Sequence, residues 1–156
     1  MNESSWYESA PIPALMWGAR GSYGDAAQRA LAEAGCDDIP QNGAFVLAAL
    51  NENGTEFTSQ ADAVSFLRQS KQRSSQLIDT LVLRGYVERR IDPEDRRRMT
   101  VRLTDRGRGA AAAIQAAVDA IDAELAKRLS ADELHGLRAG LAALYDIREQ
   151  SSDERD

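Results

Sequence analysis

The sequence predicts a mainly α fold carrying one small β-hairpin, and three observations support this. Apolar residues recur at helical spacing over most of the chain; Leu77, Ile78 and Leu81 give a clear instance just before Gly85. From Val87 the period changes to two. Val87, Arg89 and Ile91 alternate with Glu88 and Arg90, and Met99, Val101 and Leu103 alternate with Thr100 and Arg102. Between these runs lies Asp92-Pro93-Glu94-Asp95-Arg96-Arg97-Arg98, a turn opened by Asp-Pro and crowded with arginine.

The elements follow in order. Residues 1–12 read as a loose arm. A first helix spans about Pro13 to Ala34, with Pro13 suited to a first turn and Gly35 to the stop. Inside it Gly18, Gly21 and Gly24 each weaken a helix by about 1 kcal/mol relative to Ala. Their spacing fits either the close approach of another backbone or a bend or break. A second helix follows Pro40 and Gln41, carries Phe45, Val46, Leu47 and Leu50, and ends at the Asn53-Gly54 turn. A third lies in TSQADAVSFL, where Ser59 and Asp62 resemble a capping box, and ends near Leu67.

Ser70 is the expected N-cap of the next helix and Gly85 its stop. With Leu77, Ile78, Leu81 and Ser74 turned inward, its other face offers Lys71, Gln72, Arg73, Ser75, Gln76 and Asp79. Beyond the hairpin, Thr104 can cap a long helix reaching about Leu129, with the stripe Ile114, Val118, Ile121 and Leu125. Its alanine run, Ala110 to Ala113, permits close packing of helices. Ser130 to Glu133 reads SADE, a full capping box, and opens a last helix bearing Leu134, Leu137, Leu141 and Leu144. The terminal EQSSDERD reads as disordered.

Two short helices, a tight turn and a hairpin with a cationic tip make a winged helix-turn-helix. The second helix of such a module enters the DNA major groove with its N-terminal residues leading. The flanking helices carry more apolar surface than so small a module needs, which points to dimerisation, and a two-fold dimer suits a palindromic site. The expected organisation is an arm and dimerisation helix at 1–40, a DNA-binding lobe at 41–107, C-terminal dimerisation helices at 108–150 and a disordered tail at 151–156.

Charge agrees with this arrangement. Residues 55–108 hold 12 basic and 8 acidic side chains, net +4, whereas residues 1–54 and 109–156 each carry net −5. The whole chain is therefore acidic, net −6, but phosphate responds to the local basic footprint. No apolar run is long enough to span a bilayer, and the N-terminus lacks the basic-then-apolar order of a secretory signal. Cys36 is the one cysteine, so no intrachain disulfide forms, and a cytoplasmic protein is expected. Asp37 and Asp38 beside Cys36 disfavour its thiolate, which makes it a poor redox sensor. His135 is the single histidine; no metal-ligand spacing and no nucleophile motif accompany it. Neither a metal, a cofactor nor an enzymatic activity is expected.

The stretch from about Ser59 to Gly107 resembles the MarR family of transcriptional regulators. The resemblance rests on DRRRMTVRLT from Asp95 to Thr104 and on the junction LVLRGYVERRIDPEDRR that leads into it. It implies a two-fold dimer built from both chain ends, binding a pseudo-palindromic operator in double-stranded DNA, usually as a repressor. By position, Arg97 matches the family's minor-groove arginine, between Arg96 and Arg98, and Asp95 the acid that braces the wing. Ser70, Lys71, Gln72, Arg73 and Gln76 match the recognition-helix face, with Ser75 beside them. The chemistry agrees: arginine suits a narrow electronegative minor groove, glutamine pairs with adenine and arginine with guanine. Many members release DNA on binding an anionic or phenolic molecule. Trp17, Tyr23 and Phe45 fall near where the family places that pocket, with core or dimer packing as the other reading. The sequence departs from the family pattern at Arg68, Gln69 and Ser74. Those positions keep open an alternative, a winged-helix module for protein–protein association with weak or lost DNA binding.

Overall fold

The computed structural model describes residues 6–40, 42–52, 58–59, 71–92, 95–97 and 99–153. In chain order the elements are α1 (Trp6–Ser9), α2 (Ile12–Glu33), α3 (Gly43–Glu52), β1 (Thr58–Ser59), α4 (Lys71–Leu83), β2 (Val87–Ile91), β3 (Met99–Leu103), α5 (Asp105–Arg128) and α6 (Ala131–Asp153). The helix expected to end near Leu67, the Asn53-Gly54 turn, Arg68 and Gln69 lie outside the described residues. The chain divides into two compact units, Met1–Val118 and Asp119–Asp156.

In the first unit, α2 begins at Pro11 as N-cap, with Pro13 in its first turn, where a missing N–H costs no helical bond. It ends by geometry. Gly35 takes φ +69°, its N–H donates to Ala32 O, and the Cys36 N–H donates to Leu31 O at 2.8 Å. Helix α4 repeats this design at Gly85, φ +75°, with Gly85 N–H to Val82 O and Tyr86 N–H to Leu81 O at 2.9 Å. Both are Schellman motifs, and in both the residue after the glycine is buried with its partner three back from the cap. Gly18, Gly21 and Gly24 do not break α2. A Cβ built on any of them meets nothing within 4 Å among the described residues, so no described backbone of the same chain approaches them.

The three strands form an antiparallel sheet in the order β1-β3-β2. The hairpin register pairs Val87 with Leu103, Arg89 with Val101 and Ile91 with Met99, as the alternation predicts. Strand β1, pairing Thr58 with Val101 and Ser59 with Thr100, falls where the sequence pointed only to a helix start. The core joins Leu31 of α2, Val46, Leu47 and Leu50 of α3, Leu77, Ile78 and Leu81 of α4, the hairpin's Val87 and Val101, and Ala110, Ala111 and Ile114 of α5. Thr100, expected on the outer face, is buried and donates to Arg90 O at 3.2 Å. At the far end of the hairpin Ile91 and Met99 are exposed, because the strands outrun the core. The expected loose arm contains one helical turn, α1, in which the Ser9 hydroxyl donates to Trp6 O.

Ser74 is fully buried on α4, and its hydroxyl has no hydrogen-bond partner among the described residues. An unpaired buried hydroxyl is destabilising, and alanine is the better helix former. Ser74→Ala is therefore expected to add about 1 kcal/mol and raise the melting temperature by about 2–4 °C. A lower melting temperature would mean that the hydroxyl is satisfied in solution.

The second unit holds the end of α5 and all of α6. The SADE box forms in full. The Ser130 N–H and hydroxyl donate to Glu133 Oε2 at 2.8 and 2.7 Å, and the Glu133 N–H donates back to Ser130 Oγ. These bonds hold the Glu133 carboxyl below the usual range. Helix α6 continues to Asp153, into the stretch read as a disordered tail. Leu137, Leu141 and Leu144 remain 42%, 46% and 39% exposed, an apolar stripe along α6.

Candidate nucleic-acid interface

Helix α4 buries Ser74, Leu77, Ile78 and Leu81, and this fixes what it turns outward. Gln72, Arg73, Gln76 and Asp79 are exposed at helical spacing on one face, with Ser75 half-buried beside it. Lys71 is the first residue of the helix. Ser70 lies outside the described residues. Of the face expected from the sequence, Gln72, Arg73, Gln76 and Asp79 are thus exposed.

Asp79 is held by the wing: Arg89 of β2 pairs with its Oδ1 at 2.5 Å. The wing's outer face carries a second cluster, in which Glu88 accepts from Arg102 and, at 3.2 Å, from Arg90. The Arg102 bond is the largest cause holding the Glu88 carboxyl below its ordinary range, and Arg90 adds to it. Three wing arginines therefore have acidic partners. At the tip Arg96 and Arg97 are exposed, and no ion pair among the described residues engages either. Arg98 lies outside the described residues. The tip is held by its own aspartates: the Asp95 N–H donates to Asp92 Oδ1 at 3.3 Å, and the Arg97 N–H donates to Asp95 Oδ1 at 3.0 Å. Asp95 thus braces the backbone under Arg97.

A third cluster, which sequence reasoning missed, fixes the root of the wing. Tyr86, between α4 and β2, is fully buried. Its carbonyl accepts from the Thr104 N–H at 3.0 Å and faces the Thr104 hydroxyl at 3.1 Å. Its hydroxyl donates to Asp38 Oδ1. Arg106, in the first turn of α5, lies over the Tyr86 ring at 4.2 Å and donates to Asp38 Oδ1 at 3.0 Å and to Arg84 O at 2.6 Å. The Tyr86 hydroxyl is the main cause holding the Asp38 carboxyl low, with Arg106 contributing. Burial, then the Asp38 acceptor, pushes the phenol well above its usual value. The only local signal was an aromatic placed just after Gly85.

Trp17 is 82% exposed and Phe45 51% exposed, with the Arg20 guanidinium 5.8 Å from the Phe45 ring centre; Tyr23 is half-buried. The Trp17 and Phe45 rings thus lie outside the buried core. Cys36 is buried. Among the described residues no group of His, Cys, Asp or Glu is arranged to hold a metal ion, and no helix is long and apolar enough to cross a membrane.

An outward polar helix face joined to a hairpin with an exposed cationic tip defines a winged helix-turn-helix protein. Residues 38–98 match the sequence model of the MarR family. The fold is similar to S. aureus MepR in complex with DNA (TM-score 0.73, 21% identity, 89% of this chain and 99% of that one) and to MepR in its DNA-binding conformation (0.74, 21%, 88% and 98%). It is also similar to wild-type E. coli MarR in the apo form (0.61, 24%, 86% and 96%). A sequence comparison with curated proteins finds no match. Over residues 38–98 the chain is thus similar to the MarR family.

Proposed function

We propose that this chain is a sequence-specific DNA-binding transcriptional regulator, a repressor that binds a pseudo-palindromic operator as a homodimer in the cytoplasm and carries no catalytic activity. The observation that carries the reading is the pairing of an exposed Gln72, Arg73 and Gln76 face with a tip whose Arg96 and Arg97 are free of ion pairs among the described residues. In this role Gln76 and Arg73 contact base edges in the major groove. Ser70, Lys71, Gln72 and Ser75 position the helix on phosphate. Arg97, flanked by Arg96 and Arg98 and braced by Asp95, enters the minor groove, where a narrow A·T-rich groove concentrates negative potential. Exposed Leu137, Leu141 and Leu144 on α6, and Ile12, Met16 and Trp17 on α2, supply the apolar surface for a second copy. Trp17, Tyr23 and Phe45 serve as one wall of an effector pocket for an aromatic carboxylate or phenol, whose binding weakens operator affinity and is weakened equally by DNA.

A mobility shift on the DNA upstream of the protein's own gene, titrated with salt, tests the reading. Phosphate contacts release counterions, so log K should fall against log salt with a slope of roughly −0.9 per contact. A flat response removes the arginines from phosphate and favours the protein-association alternative. Light scattering should return twice the 17.0 kDa chain mass at micromolar protein, and a monomer would remove the symmetric-operator part of the proposal.

A further inference from the structure

We propose that Asp38 is a positioning residue for DNA reading, setting the angle of the wing against α4 through Tyr86 and Arg106 without itself touching DNA. The inference rests on the DNA-binding role proposed above. Between the last residue of α4, Leu83, and the first of β2, Val87, lie Arg84, Gly85 and Tyr86, the hinge between the two reading elements. The α4 side of this hinge is closed by the Schellman bonds to Leu81 and Val82. The Tyr86 carbonyl is held by Thr104. The Tyr86 side chain reaches out of this corner, to a carboxylate 48 residues earlier in the chain.

A buried phenol needs an acceptor, and a carboxylate facing it needs a counter-charge. Asp38 supplies the first and Arg106 the second, and Arg106 also holds the hinge carbonyl of Arg84. One oxygen, Asp38 Oδ1, thereby joins the segment between α2 and α3, the hinge, and the first turn of α5. Another link between α4 and the wing is the partly exposed ion pair Asp79–Arg89, and pairs of that kind hold geometry weakly. Leverage makes the root matter. At about 3.3 Å per residue, the five-residue strand places the tip about 17 Å away. A rotation of about 10° at the root then carries Arg97 about 3 Å, beyond hydrogen-bond tolerance.

The test compares full-length wild type with Tyr86→Phe, Asp38→Asn and the double variant, measuring binding profiles over a randomised duplex site together with thermal melts. Ser130→Ala, which weakens the α6 cap far from the hinge in sequence, is the stability control. Each hinge variant is expected to lose roughly fivefold to tenfold affinity on sites with A·T-rich flanks. Central preferences should be kept, and the double variant should be no worse than either single, because all act through one link. Ser130→Ala should lower the melting temperature and leave the profile unchanged. Hinge-variant profiles that superimpose on wild type, or that lose affinity uniformly in step with the melting temperature, overturn the inference alone. A wild-type protein that selects no sequence overturns the DNA-binding role and this inference with it.

Discussion

Gly107→Ala is expected to lower the melting temperature by roughly 10 °C, from a destabilisation of about 3–4 kcal/mol. A Cβ at this position would lie 1.9 Å from the Tyr86 carbonyl oxygen and 3.2 Å from Leu103 Cδ2. The first obstacle is backbone, so no rotamer change relieves it, and the clash falls on an oxygen already held by Thr104. Thr104 in turn caps α5, its hydroxyl accepting the Gly107 N–H at 3.0 Å. Moving the Tyr86 carbonyl therefore loosens a helix cap, the α4 terminus and the root of the wing together. Gly109→Ala, two residues along the same helix, should do the opposite. No described atom lies within 4 Å of its Cβ, so alanine there gains about 1 kcal/mol of helix propensity. Thermal melts of the two variants decide the matter: the same sign for both would mean that the corner at Tyr86 is not packed as described.

The same corner shows where sequence reasoning stops. Gly85 and Gly35 were legible as helix stops, since a glycine after an apolar stripe is a local signal, and both adopt positive φ. The hairpin register was legible from its alternation and the SADE box from its spacing. Tyr86 was not, because its partners stand 48 and 18 residues away and no local pattern brings them together. Strand β1 is two residues long, too short to show a period. Trp17 read either as effector-pocket wall or as core or dimer packing, because hydrophobicity alone does not say whether an apolar ring faces its own chain, and it is exposed. The outward face of α4 followed from the burial of Leu77, Ile78 and Leu81, but the pairing of Asp79 with Arg89 depends on how helix and strand cross, which is tertiary information. It turns an acid on the candidate DNA face from a repulsive charge into part of the wing's attachment.

The division of labour proposed for helix and wing gives a direct expectation for mutants of each. Gln76 and Arg73 stand on the exposed face of α4, where a major-groove contact reads base identity. Gln76→Ala or Arg73→Ala should relax selectivity at one or two central positions per half-site, at a cost of about 1–3 kcal/mol for a bidentate contact. Arg97 stands at the far end of the hairpin, exposed and without an ion-pair partner among the described residues, so its full charge is available to DNA. The minor groove it would enter distinguishes A·T from G·C mainly by width and potential. Arg97→Ala should therefore weaken binding mostly at sites with A·T-rich flanks and leave the central bases as selective as before. Asp95 acts one step removed. Its carboxylate accepts the Arg97 N–H at 3.0 Å, so Asp95→Ala frees the tip backbone without removing the cation, and its effect should follow the Arg97→Ala pattern at smaller amplitude. Profiles over a randomised site separate the two classes. Central selectivity lost in Arg97→Ala but kept in Gln76→Ala and Arg73→Ala would reverse the assignment of helix and wing. An Asp95→Ala loss larger than that of Arg97→Ala would mean that the tip is read through its backbone shape instead of through the guanidinium.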